Sequence, residues 1–228
     1  MDTQAFRIEV EKERKIASKD LKLNKPTSAI KEFHRRLDNL TRSILSKTAE
    51  KLACRVGCSY CCYYKVEIRP VEVFQIVSYI NQNYTKKQII DILDKAKNNV
   101  DKAASLTYQE HLETNQKCPL LVNDCCTVYP VRPLNCRNYH ATNVELCRQS
   151  YNEPNNTKIQ ESFIDELHVR TNGATHGFKT EVETAGYDSA VYDLNSALHE
   201  AFNNKSLIRR YNKHKKAFIK TKIIDVTE

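Results

Sequence analysis

Nine cysteines fall in two short windows of this chain and nowhere else. Cys54, Cys58, Cys61 and Cys62 lie within nine residues. Cys118, Cys125, Cys126, Cys136 and Cys147 lie within thirty, and the other 189 of 228 residues contain none. Cysteines kept for packing scatter through a core, whereas cysteines that share a ligand cluster. Thiolates two or three residues apart in a turn can converge on one soft centre: zinc, copper(I) or an iron–sulfur cluster. Adjacent thiols, such as Cys61 and Cys62, generally point apart. Both are therefore not expected on one mononuclear ion, and a cluster or two neighbouring sites would use them more naturally. Gly57 permits a left-handed backbone between ligands.

The second window reads Lys117-Cys118-Pro119-Leu120-Leu121, then Cys125-Cys126-Thr127-Val128-Tyr129-Pro130-Val131-Arg132-Pro133, then Cys136-Arg137-Asn138-Tyr139-His140. Its prolines prevent a regular helix from continuing. Arg132 and Arg137 can donate charge-assisted hydrogen bonds to an anionic thiolate centre or to an anionic substrate. Cys125 and Cys147 have no clear ligand role, and His140 and His176 are lone histidines of the kind that are more often packed than ligating. Tyr60, Tyr63 and Tyr64 either shield the centre or simply pack.

These blocks resemble the YkgJ-type CxxCxxCC cysteine-cluster family, a zinc- or iron-chelating domain. Its first block, C-x3-C-x2-C-C, matches Cys54, Cys58, Cys61 and Cys62. Its second matches Cys118-Pro119-Leu120-Leu121, then Cys126 through Tyr129, Arg132 and Pro133, then Cys136-Arg137-Asn138-Tyr139. The resemblance spans roughly residues 50–150. It implies a metal ligand set of Cys54, Cys58, Cys61, Cys62, Cys118, Cys126 and Cys136. The cofactor is then an iron–sulfur cluster, favoured over a zinc or iron ion because seven thiols exceed the four of one closed zinc site. A flagellin lysine N-methylase resembles the family in its cysteine block and is associated with an iron–sulfur cluster, so a protein methylase is an alternative. A structural zinc module for protein or nucleic-acid interaction is another. Cys-x3-Cys-x2-Cys also occurs in radical S-adenosylmethionine enzymes, but their glycine-rich α/β barrel is at odds with a chain of four glycines. Whether the protein is an enzyme stays open, since no nucleophile–base pair can be read.

Positioning these thiols falls to helices. Ile30, Phe33, Leu37, Leu40 and Ile44 recur at helical spacing, which predicts a helix over 27–53, capped at Thr27 or Ser28. Arg69-Pro70 restarts a helix over 70–82. Thr85-Lys86-Lys87-Gln88 is a capping-box pattern opening a helix that reaches Leu112. The last two should form a hairpin between the windows. Residues 1–25 read as a helix or partly ordered arm, 158–169 as a short helix, Gly173–Gly186 as irregular, and Tyr187 to Phe202 as helix. The fold class expected is mostly α: a helical bundle with an irregular cysteine-rich region. Three segments follow: an extension (1–49), a cysteine-cluster domain (50–151) and a C-terminal extension with a basic tail (152–228).

The formal charge is +8, softened by thiolates, since four around a divalent ion contribute a net of about −2. Arg209, Arg210, Lys213, Lys215, Lys216, Lys220 and Lys222, with Tyr211 and Phe218 between them, make nucleic acid a candidate partner. The bland alternative is a solvated face. A protein partner is open. The start has no apolar signal segment and no run approaches the ~20 apolar residues of a membrane span, so a cytosolic protein with no membrane partner is expected.

Overall fold

The computed structural model describes residues 3–160 and 162–224. In chain order, α1 (Thr3–Leu23) and α2 (Pro26–Leu45) lead to the first cysteine window. A 3-10 turn (Tyr60–Tyr63) and the short strand β1 (Glu67–Ile68) follow, then α3 (Pro70–Asn83), α4 (Lys86–Ala103) and α5 (Tyr108–Leu112). The second window holds β2 (Leu121–Val122), β3 (Cys125–Cys126), a 3-10 turn (Tyr129–Val131), α6 (Leu134–Asn138) and α7 (Val144–Asn152). The chain closes with α8 (Asp165–Thr184), β4 (Tyr192–Asp193), α9 (Leu194–Asn203) and α10 (Leu207–Tyr211). The protein is mostly helical, with small strands around the cysteine region. No helix of the described residues is long and apolar enough to cross a membrane.

Glycine placement makes the most extensive helix contact, α1 on α8. A Cβ on Gly173 would stand 2.6 Å from the Phe6 carbonyl oxygen, and one on Gly177 would stand 2.5 Å from that of Val10. Both helices advance by four residues between these contacts, so they run parallel with their backbones touching. The next step along the seam is the Arg14–Glu181 ion pair at 2.7 Å. The region expected to be irregular, Gly173–Gly186, is thus helical as far as Thr184. Gly173 and Gly177 sit where a side chain would not fit, while Gly186, at φ +80°, turns the chain just after the helix ends. The expected short helix over 158–169 is the start of this long one, which opens at Asp165.

Charged residues hold the rest of that seam. Glu9 and Glu13 of α1 are buried. Arg36 of α2 grips Glu13 with two hydrogen bonds, at 2.6 and 3.0 Å, and Asp20 at 2.8 Å, while Arg170 of α8 reaches Glu9 at 2.5 Å. Residues 3–23 therefore form a docked helix, not an arm. Ala17, Leu21, Ile30, Phe33, Ile76, Ile80, Phe178 and Leu198 belong to one hydrophobic core that draws on all three expected segments.

Several expected boundaries move. α2 begins with Pro26 at its first position, capped by Lys25, and ends at Leu45 instead of continuing to Ala53. Lysine offers no side-chain acceptor there, and the fixed φ of proline supplies the start. Arg69-Pro70 and the Thr85–Gln88 capping box open α3 and α4 as expected. α4 stops at Ala103, and Thr107 caps the separate α5. α4 packs chiefly against α9, and α3 against both α2 and α9, rather than on each other, so the expected hairpin is wedged open. Within 187–202 the helix starts only at Leu194, because Tyr192–Asp193 pairs with β1.

After α10 the chain becomes a strap across the core. Tyr211, Ala217 and Phe218 are fully buried, with Phe218 against Phe74 and Tyr192. Glu200 of α9 pins the strap by accepting from the backbone N–H groups of Ile219 (2.8 Å), Lys220 (3.0 Å) and Thr221 (2.7 Å) and from the Thr221 hydroxyl (2.7 Å). Burial pushes this carboxyl up, but the donated hydrogen bonds outweigh it and hold the pKa below its ordinary value. A depressed folded-state pKa gives stability that is present above the unfolded value and lost as pH falls through the folded one. Glu200→Gln should cost about 2 kcal/mol and should blunt the acid-side loss of stability, measured by urea unfolding across pH.

Candidate metal centre

The two windows meet through backbone. The amide of Cys118 donates to the carbonyl of Cys62 at 2.8 Å, and that of Gln116 to Tyr63 at 2.8 Å. The Ala53 amide donates to the Ala141 carbonyl at 2.8 Å, closing the other side. Ser59 donates through its hydroxyl to Asp124 at 2.9 Å, tying the first window to the hairpin tip of the second.

Local conformation orients the thiols. Gly57, at φ +85°, turns the chain between Cys54 and Cys58. Asn123 and Asp124, at φ +49° and +56°, form the two-residue turn that joins β2 to β3. Successive positive φ values suit the right-handed twist of a tight hairpin, and Asn and Asp tolerate them. Because side chains alternate along a strand, Cys125 and Cys126 face opposite ways. Cys125 is exposed, opposite the partly exposed Val122, while Cys126 packs inward opposite Leu121. Cys136 rides on α6, whose first N–H (Leu134) donates to buried Glu72 at 2.7 Å. The other oxygen of Glu72 accepts from the Arg69 amide at 3.1 Å, so one carboxylate caps α3 and anchors α6. Glu72→Ala should release Cys136 and cost about 2 kcal/mol, read as a lower urea midpoint together with weaker metal retention.

The thiols feel one another. Burial pushes Cys118 up to about 12, with Cys62 and Cys126 adding to the rise. Cys136 is raised well above an ordinary thiol by burial and by Cys118, Cys126 and Cys62. Burial also raises Cys126 and Cys54. Cys61 is raised chiefly because its S–H donates to Cys62, and Cys62 is lowered by accepting that bond. The adjacent pair therefore does not point apart as expected, since the 3-10 turn brings both sulfurs within hydrogen-bonding reach. Cys62, Cys118, Cys126 and Cys136 are mutual neighbours, and Cys61 connects them to Cys54, itself beside Cys58.

Soft thiol donors with mutually unfavourable charges fit zinc or iron, whose binding displaces the thiol protons. Among the described residues, no three Cys, His, Asp or Glu side chains form a group arranged to hold an ion. The fit lies in donor chemistry and neighbourhood.

Other candidates separate clearly. Cys147 is buried on α7, and its carbonyl accepts from the Tyr64 hydroxyl at 3.5 Å. Tyr60 and Tyr63 pack on Tyr151, and Tyr64 on Tyr139. His176 is exposed on α8, its ring beside that of Phe6. His140 is lowered to about 4 by burial and by Arg132. Unforeseen His34 is buried on α2 and lowered to about 3 by burial and by Arg137 and Arg132; no cysteine spacing signals it. Arg137, only 2% exposed, donates from its two terminal nitrogens to Asp38 and the Pro130 carbonyl and so braces α6, while its buried Nε has no partner among the described residues. Arg132 stacks 3.9 Å over the Tyr129 ring and lends positive charge to Cys54 and Cys126.

With this arrangement, residues 53–166, half of the chain, match the model of the CxxCxxCC family, a putative zinc- or iron-chelating domain. The chain belongs to that family of metal-chelating cysteine-cluster domains. No curated protein and no solved structure matches it.

Proposed function

We propose that the two windows jointly bind an iron–sulfur cluster through Cys54, Cys58, Cys61, Cys62, Cys118, Cys126 and Cys136. The observation that carries this reading is the 2.8 Å hydrogen bond from the Cys118 amide to the Cys62 carbonyl, which locks one window to the other. Seven candidate thiols exceed the four ligands of one closed zinc site, which supports a centre with more than one metal atom. When bound, such a cluster supplies one-electron transfer or an open iron for substrate. The chain contributes buried sulfur donors, the positive charge of Arg132 and the α6 brace through Glu72 and Arg137.

Zinc is the competing occupant, favoured by one observation. Cys62, Cys118, Cys126 and Cys136 are mutual neighbours and number the four ligands of a closed structural site. Anaerobic purification with metal and sulfide analysis separates the two. Iron with labile sulfide and broad visible absorbance is expected. A colourless protein with stoichiometric zinc would establish the structural module instead.

A further inference from the structure

Eight of the eighteen residues from Lys205 to Lys222 are Lys or Arg, and no residue from Ala201 to Ile224 is acidic. Lys205, Arg209, Lys213, Lys215, Lys216, Lys220 and Lys222 are all exposed. Among the described residues none of them makes an ion pair. Two carboxylates beneath the strap are turned inward onto its backbone. Glu200 holds the amides of Ile219, Lys220 and Thr221, and Asp188 accepts from the Ala217 amide at 2.7 Å and the Tyr192 hydroxyl at 2.9 Å. The cations are therefore presented from a pinned backbone, with the nearby acids spent on holding it in place.

Apolar side chains decide which polyanion this face suits. Tyr211 and Phe218, the rings that could have stacked on bases, are fully buried. α10 has only five residues, too short to lie along a nucleic-acid groove. Ile219 and Ile223, by contrast, are 57% and 48% exposed beside Lys220 and Lys222. Aliphatic side chains among lysines gain little from a phosphodiester backbone but partition into the headgroup–acyl boundary of a bilayer. We propose that the strap from Lys205 to Ile223 docks the protein on an anionic lipid surface, with its cations on headgroup phosphates and Ile219 and Ile223 entering the interface.

Co-sedimentation of the full chain, as purified, with vesicles tests this. The protein should pellet with vesicles containing roughly one-third anionic lipid and not with neutral ones. Replacing Lys213, Lys215 and Lys216 together by glutamine should weaken partitioning by about a hundredfold, near fivefold for each charge. The charge-neutral pair Ile219→Ser and Ile223→Ser should weaken it by about tenfold, with an unchanged melting temperature because both sites are exposed. Absence of binding to anionic vesicles at low ionic strength overturns the proposal, as does undiminished binding by the isoleucine variant. A short RNA or DNA duplex that binds more tightly than the vesicles, with no dependence on the isoleucines, overturns it in favour of nucleic acid.

Discussion

Gly177→Val is expected to lower the stability of the whole protein by about 3 kcal/mol or more. Even the first carbon of the new side chain would meet the Val10 carbonyl oxygen at 2.5 Å, and a helix backbone cannot yield as a flexible side chain does. α1 would have to lift from α8, breaking the Glu9–Arg170 and Arg14–Glu181 pairs across that seam. Gly177→Ala provides the sharper comparison. In an exposed helix that change stabilises by about 1 kcal/mol through propensity, whereas here it should destabilise. Urea unfolding of both variants checks the sign and the order.

The second large effect is a contrast between neighbours. Cys126→Ser should remove essentially all bound metal, while Cys125→Ser should leave it in place. The reason is the pleat: Cys125 faces solvent opposite Val122, and Cys126 faces Cys62 and Cys136. Metal content of the two purified variants decides it. Equal loss in both would mean that the hairpin register differs from Leu121↔Cys126.

Much of this organisation is legible in the residues themselves. Ligand-like spacing in Cys54 to Cys62 marks the first window, and the apolar steps from Ile30 to Ile44 mark α2. The capping box at Thr85–Gln88 is a local signal read correctly, because it depends only on residues three apart. What could not be read depends on distant partners. Gly173 and Gly177 look like helix breakers until α1 is placed against them. The glutamates of α1 look solvated until Arg36 and Arg170 arrive from elsewhere. Within the site, Arg137 reads as a sulfur partner from its place beside Cys136, yet Asp38, ninety-nine residues away in sequence, claims it. The basic tail reads as a solvated face, but Tyr211 and Phe218 are drawn into the core and the rest becomes a strap.

Cys62 and Cys118 stand on either side of the junction between the two windows, where a single shared site is proposed. Metal content of Cys62→Ser and Cys118→Ser, each measured against the native protein, tests that sharing most directly. Each substitution alone should empty the centre of metal, because neither window can hold it without the other. Retention of about half the metal in each variant, as expected for two independent thiolate sites, would contradict a shared centre, as would full retention in either.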